Sequence, residues 1–109
     1  MTDSTTIARE IYESTQRLEK ASSMLFVLAK EWAEAERDYR IALAKETVRL
    51  KDEKMNITLV PDIARGNTAE LKFQRDLAEA RYRAGIYSVD AIKSQMTGLQ
   101  TIIKFQSEI

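Results

Sequence analysis

Apolar residues recur along the first half of the chain in alternating steps of four and three, with one polar member, Ser14. This spacing keeps one face of a helix apolar and is typical of a coiled-coil seam. No Gly or Pro lies between Thr5 and Lys54, so the pattern predicts one long helix over about residues 5–54. We call its apolar positions the first seam: Ile7, Ile11, Ser14, Leu18, Ala21, Leu25, Leu28, Trp32, Ala35, Tyr39 and Ala42.

A second seam with the same spacing predicts a second helix over about residues 68–107. Asn67 followed by Glu70 suggests an N-cap with a reciprocal carboxylate at the start of this helix. Gly85 lowers helix stability, so it either has a packing reason or marks a bend, and a break in this helix would fall within residues 84–88. The second seam consists of Leu71, Arg75, Ala78, Tyr82, Gly85, Val89, Ile92, Met96, Leu99 and Ile103, of which Arg75 is out of character.

The connection, residues 55–67, is too apolar for a free linker and should pack against the helices. Pro61 suits a first helical position, Asp62 suits the positive end of a helix dipole, and Gly66 suits a C-terminal stop. These signals predict a single helical turn from Pro61 to Arg65.

Two helices and a short connection predict an all-α fold, a long antiparallel two-helix coiled-coil hairpin in a single domain, residues 1–109. A turn centred near residues 60–62 would place Tyr39 near Tyr82 and Trp32 near Val89. The first helix would then be the longer one, and about residues 1–13 would overhang.

Many apolar residues lie outside the two seams, which predicts self-association into a helical bundle, a homodimer first. These residues form a second apolar stripe: Phe26, Val27, Ile41, Leu43, Leu50, Phe73, Leu77, Ile86, Tyr87, Ile102 and Phe105. The seam positions expected to assemble the oligomer are Leu25, Leu28, Trp32, Tyr39, Tyr82, Val89, Ile92, Met96 and Leu99.

The amino-acid composition excludes several classes of catalytic site and metal site. The chain contains no Cys and no His, which excludes thiolate catalysis, His-based general-base catalysis and the usual transition-metal ligands. Carboxylates at Glu31, Glu34 and Asp38 share a helix face, but interleaved basic residues indicate a solvated charged surface. No enzyme activity, metal or cofactor is expected. With no signal peptide and no apolar stretch long enough for a membrane span, we expect a cytoplasmic protein without membrane contact.

Two surfaces are candidates for binding a macromolecule. The apolar tip of the hairpin could dock onto a protein partner or onto its own hairpin; its residues are Leu59, Val60, Pro61, Asp62, Ile63 and Arg65. A basic lane of Arg49, Lys72 and Arg75, with Phe73 available to stack a base, could contact single-stranded DNA. The 17 basic and 17 acidic residues of the chain give no net charge, which argues mildly against nucleic acid.

Three stretches of the chain resemble a group of small, mostly uncharacterised phage and prophage proteins. They are Lys30–Lys45, Thr58–Gly66 and Lys72–Tyr82, within a likeness that spans about residues 25–100. The resemblance implies a bacterial host cytoplasm and an accessory role among phage replication and recombination proteins. It implies no catalytic residues.

These observations together predict a non-enzymatic accessory protein that self-associates and binds an unidentified protein of DNA replication, DNA recombination or the host. The alternative is a single-stranded-DNA-associated protein that uses the basic residues near the tip.

Overall fold

The structure, a computed structural model, describes residues 3–107. These residues form three helices, α1 (Ser4–Asp52), α2 (Val60–Asn67) and α3 (Ala69–Ser107), and contain no strand. The prediction of an all-α helical hairpin is confirmed. Packing divides the chain into two compact units, each with segments of α1 and α3. Among the described residues, unit 1 comprises residues 3–27 and 83–107, and unit 2 comprises residues 28–82.

Helix α1 is closed at both ends by specific hydrogen bonds. At its start, the Asp3 carboxylate accepts a bond from the Thr5 backbone N–H at 3.0 Å. At its end, Lys54 takes a left-handed conformation with φ of 60°. The Met55 N–H donates to the Leu50 carbonyl at 3.2 Å, and the Lys54 N–H donates to the Lys51 carbonyl at 3.0 Å. This pair of bonds is a Schellman motif, which satisfies carbonyls that the last helical turn leaves unpaired.

Helix α2 is longer than the single turn predicted, with eight residues and Pro61 in its first turn. Gly66 lies inside α2 and has no positive φ, so its predicted role as a stop is wrong. Buried Thr68 joins α2 to α3: its hydroxyl donates to the Ala64 carbonyl at 2.8 Å, and its carbonyl accepts from the Lys72 N–H at 3.1 Å. Thr68 therefore bridges the two helices with little interruption of the hydrogen-bond pattern.

The predicted cap of α3 is wrong, and the open question of a break at Gly85 is answered by one continuous helix. Asn67 does not cap α3, because it is the last residue of α2 and its side-chain amide donates to the Glu46 carboxylate at 2.8 Å. Helix α3 continues through Gly85 without a break. A single glycine destabilises a helix by only about 1 kcal/mol, which the packing of neighbouring seam residues can offset.

The core of unit 2 lies where the chain reverses direction. Leu50 of α1 packs with Val60 and Ala64 of α2, and all three are buried. Partly buried apolar side chains surround this cluster: Leu43, Met55 and Ile63. Met55 packs against this cluster, which includes Leu50, its partner in the longer backbone bond of the Schellman motif. Hydrophobic packing of this kind often accompanies the motif.

The register within unit 2 differs from the prediction by one heptad. The Trp32 ring lies 5.5 Å from the Tyr82 ring, where Val89 was expected, and the Arg75 guanidinium lies 4.9 Å above the Tyr39 ring, where Tyr82 was expected. The reason is the position of the reversal. The chain turns at residues 53–59, and α2 already runs back along α1, so α3 begins nearer the turn than a centre at residues 60–62 allows.

Unit 1 pairs the first part of α1 with the last part of α3 in antiparallel fashion. The Ser4 hydroxyl donates to Gln106 at 2.9 Å, and the Arg17 guanidinium donates to Gln95 at 2.8 Å. Ile7 is buried. The predicted overhang is therefore wrong from residue 3 onward, and residues 1 and 2 lie outside the described residues. The earlier reversal brings the end of α3 level with the start of α1.

The two seams are almost completely buried or half-buried within the single chain, and their role in assembling an oligomer stays a prediction. Every residue of the first seam is buried or half-buried, and so is every residue of the second seam except Leu71, which is exposed. The second apolar stripe is mixed. Leu50 is buried and Leu43, Leu77 and Ile86 are half-buried, whereas its other members are exposed: Phe26, Val27, Ile41, Phe73, Tyr87, Ile102 and Phe105.

Leu50→Ala should lower the free energy of unfolding by about 2–5 kcal/mol, because it opens a cavity against Val60 and Ala64. The matched control is Val48→Ala, an exposed position two residues away, which should change it by less than about 0.5 kcal/mol. Urea unfolding followed by far-ultraviolet circular dichroism measures both. Equal effects of the two substitutions would contradict the placement of the core.

Lys54→Gly should raise the free energy of unfolding by about 1 kcal/mol, because glycine adopts the left-handed conformation without a Cβ clash. Lys51→Gly, in the last turn of α1, should lower it by about 1 kcal/mol, because glycine is a poor helix former. Thermal unfolding of the two variants distinguishes the sites by the sign of the change. The same sign for both would show that the helix does not end at this motif.

Candidate binding surface at the hairpin tip

The turn between α1 and α2 is ordered by the side chain of Asn56. Its carboxamide oxygen accepts hydrogen bonds from the Thr58 backbone N–H at 3.1 Å and from the Thr58 hydroxyl at 2.9 Å. The Leu59 N–H donates to the Asn56 carbonyl at 2.9 Å. These bonds form an Asx-type turn, which holds the backbone without help from secondary structure. These bonds therefore hold the backbone from Asn56 to Leu59, including Ile57, in a defined conformation.

Two large apolar side chains project from this ordered turn. Ile57 is 70 % exposed and Leu59 is 51 % exposed, although the adjoining Val60 is only 1 % exposed. The exposed surface of these aliphatic side chains contributes nothing through the hydrophobic effect until another surface covers it. We call Ile57 and Leu59 the apolar tip.

The six residues predicted for partner binding at the tip separate into two groups. Val60 is buried in the core of unit 2, and Ile63 packs against that core. Leu59, Pro61, Asp62 and Arg65 are exposed, and Asp62 forms an ion pair with Arg65 at 3.4 Å. The connection thus docks onto its own hairpin through one face of α2 and leaves Leu59 outward. Ile57, which the predicted set omitted, joins Leu59; its apolar character in a turn was the available signal.

The basic lane predicted near the tip is occupied by ion pairs. Arg49 bonds to Glu46 and, at 2.8 Å, to Glu53. Lys72 lies 3.3 Å from Asp76. Nearby carboxylates therefore already neutralise two of the cations that were expected to contact phosphate.

Arg75, the third cation of the lane, contacts more side chains than Arg49 or Lys72 does. Its guanidinium lies 3.2 Å from Glu36 and 2.9 Å from Asp76, and it also covers the Tyr39 ring. Cation–π contact and two carboxylates explain how an arginine fits in an otherwise apolar seam. Phe73, the predicted base-stacking residue, is 57 % exposed and available.

The carboxylates of these pairs are held in the charged form. The pKa of Glu46 is lowered chiefly by its hydrogen bond with Arg49 and then by that from Asn67. The pKa of Glu36 is lowered first by the hydrogen bond with Arg40 and further by Arg75. The pKa of Asp76 is lowered by its hydrogen bonds with Arg75 and Lys72. Each pair favours the ionised state of its members, which is the state that cancels the local charge.

An open groove in unit 2, about 490 Å³ in volume, lies beside these pairs. Its lining combines the Trp32 ring with small side chains and charged groups, namely Ala29, Ala33, Glu36, Arg75 and Glu79. Trp32 offers an apolar face, but the ion pair between Glu36 and Arg75 already uses the polar groups that could orient a ligand. The groove could accommodate a small apolar group.

The carboxylates on α1 are spread among basic partners. Glu34 pairs with Lys30 at 3.9 Å, and Asp38 pairs with Arg37 at 3.0 Å. Within residues 3–107, no group of three or more carboxylates is arranged to hold a metal ion. None of the helices formed by those residues has an apolar stretch sufficient to cross a membrane.

Comparisons of the chain with protein-family models, with curated proteins and with solved structures find no match. The resemblance to phage and prophage proteins therefore stays a prediction.

Stability should fall on acidification through loss of the pairs around Glu46, Glu36 and Asp76. Because their folded-state pKa values are lowered, the stabilisation is fully present above the ordinary carboxyl pKa of about 4 and is lost as pH falls through the folded-state values. Glu46→Gln should lower the melting temperature at neutral pH, and its difference from the wild type should shrink toward pH of about 3.

Glu31→Gln, an exposed position on α1 in the same unit, is the matched control. Melting followed by circular dichroism across this pH range measures both variants. A Glu46→Gln difference that is constant with pH would show that the carboxylate does not stabilise the fold through its charge.

Proposed function

We propose that this protein is a non-enzymatic accessory protein that self-associates and binds a protein partner through its apolar tip. The observation that carries the proposal is the exposure of Ile57 and Leu59 on a turn whose backbone is held by Asn56. A turn that served only to connect two helices would not need two exposed aliphatic side chains.

The hydrogen-bonded backbone of the turn that carries the apolar tip favours binding through conformational entropy. Fixing a flexible loop on binding costs conformational entropy, whereas a turn already held by hydrogen bonds loses little. The buried cluster of Leu50, Val60 and Ala64 anchors the turn from beneath. The complementary surface on a partner would be an apolar groove or the apolar face of a helix, which covers both side chains together.

The proposed setting is the cytoplasm of a bacterial host, with a partner among the proteins of phage DNA replication or recombination, or among host proteins. This part of the proposal rests on the resemblance of the chain to phage and prophage proteins. Charged residues of α1 and α3 form ion pairs with one another, so exposed apolar side chains are the distinctive surface feature of unit 2. A surface of this kind agrees with an accessory role.

Single-stranded DNA is the second candidate, and the exposed ring of Phe73 favours it because aromatic side chains stack bases. The ion pairs of Arg49, Lys72 and Arg75 weigh against it. Phosphate contacts by these cations would first have to displace a carboxylate, which reduces the gain from each contact.

Replacement of both tip residues, Ile57→Ser with Leu59→Ser, should abolish capture of the partner. Affinity-tagged protein would be incubated with an extract of bacteria that express phage replication and recombination proteins, and bound proteins would be identified by mass spectrometry. A protein retained by the wild type and lost with the tip variant, by tenfold or more, is the expected result.

Val48→Ser, an exposed aliphatic residue on α1 of the same unit, is the matched control and should retain the partner. Equal loss with both variants would mean that capture reflects general stickiness. Salt-sensitive co-sedimentation with a single-stranded oligonucleotide, lost on Phe73→Ser and retained by the tip variant, would replace the proposal with the DNA-binding function.

A further inference from the structure

The part of α3 in unit 1 has a second regular face of small and aromatic residues, besides the one that packs on α1. The packed face contains the last members of the second seam, such as Val89, Met96 and Leu99, which are buried or half-buried. The other face repeats in the same four-three steps and is exposed throughout. We call it the outer face of α3, and it consists of Tyr87, Ala91, Ser94, Gly98, Thr101 and Phe105.

The outer face has large residues at its ends and small residues in its middle. Tyr87 is 71 % exposed and Phe105 is 66 % exposed. Between them lie Ala91, Ser94 and Gly98, whose small side chains would let another helix approach closely. Heptad spacing on this face means that a partner helix could follow it for several turns.

Gly98 has no role inside the chain that would require a glycine. It lies within α3, its φ is not positive, and a Cβ added there would have no neighbouring atom within 4 Å. Glycine lowers helix stability relative to alanine. At this exposed helical position, no contact within the isolated chain compensates for that loss of stability. A helix that packs closely against this position in an assembly would explain it.

The charges beside the outer face point to a second copy as the occupant. Asp90 and Lys104 occupy equivalent heptad positions, each directly before a member of the outer face, and both are exposed. Within residues 3–107 neither side chain has an ion-pair partner among the salt bridges of the structure. In an antiparallel pair of helices, this heptad position meets the same heptad position of the other helix.

We propose that two copies of this chain pair through the outer face of α3 in antiparallel orientation, about a two-fold axis near Gln95 and Met96. Ser94 then faces Gly98 of the second copy, Ala91 faces Thr101, and Tyr87 faces Phe105. In this register Asp90 faces Lys104 of the second copy, and two-fold symmetry forms the ion pair twice. A parallel pair would instead place Asp90 beside an uncharged Gln95.

This inference rests on the self-association in the proposed function and names the surface that accomplishes it. It is independent of the apolar tip, which belongs to unit 2. The dimer would cover the two large exposed residues of the outer face, Tyr87 and Phe105, in one contact.

Cysteine cross-linking tests the orientation directly, because the natural chain contains no cysteine. The two single variants are Ser94→Cys and Gly98→Cys, one of them carrying a tag so that mixed dimers are distinguished by mass. Under mild oxidation, an equimolar mixture should give the mixed disulfide, and each variant alone should give little. Self-linked dimers of each variant without the mixed product would overturn the antiparallel pairing.

Charge reversal tests the same pairing without a covalent bond. Asp90→Lys should weaken dimerisation by roughly tenfold in analytical ultracentrifugation, because it places like charges together twice. The double variant Asp90→Lys with Lys104→Asp should restore the affinity to within about twofold. Lys93→Glu, on α3 but outside the outer face, is the matched control and should change it little.

Sedimentation of the wild type separates the two proposals. A monomer at every concentration tested would overturn both this inference and the self-association in the proposed function. A wild-type dimer that is indifferent to Asp90→Lys, with no mixed disulfide, would overturn the outer face alone and leave self-association through another surface.

Discussion

The left-handed turn at Lys54 is the constraint from which the arrangement of the helices follows. It ends α1 through the bonds to Lys51 and Leu50, and it brings Met55 against the buried cluster of Leu50, Val60 and Ala64. Since each seam repeats every seven residues, sliding one helix by a heptad would leave apolar residues opposite apolar residues. The seams alone cannot choose between such registers. The Schellman motif and the buried cluster of Leu50, Val60 and Ala64 make that choice at one end of the hairpin.

The periodicity of the chain was sufficient to predict the helices and almost all of their buried residues. It failed at the reversal, for an identifiable reason. The sequence predicts a reversal centred near residues 60–62, whereas the chain turns at residues 53–59, directly after the left-handed Lys54. Glycine is the usual residue in a left-handed turn after a helix, and Lys54 carries no such signature. Gly66, the predicted stop of the short helical turn, lies inside α2. Asn67 likewise has the composition of a cap but serves a tertiary hydrogen bond to Glu46. The error at Asn67 concerns a contact with a residue distant in sequence, which a local motif does not reveal.

The candidate site was predictable in its location but not in its composition. The apolar connection is predicted to dock onto its own hairpin or onto a partner, and which side chains pack inward or project outward depends on which face of α2 meets α1. Val60 and Ile63 face the core, while Ile57 and Leu59 do not. The pairing of the basic lane could not be predicted from the sequence either, because Arg75 on α3 pairs with Glu36 on α1. Hydrophobicity and charge identify candidates, and only packing assigns them to interior or surface.

Trp32 is the chain's single tryptophan, and its ring lies beside Tyr82 within unit 2. Tryptophan emission therefore reports on the folding of unit 2 alone, whereas circular dichroism sums the helices of both units. If the two signals change together during denaturation, the units unfold as one cooperative structure; if they separate, each unit has a stability of its own. The placement of one aromatic residue thus provides an intrinsic optical probe of how the hairpin divides.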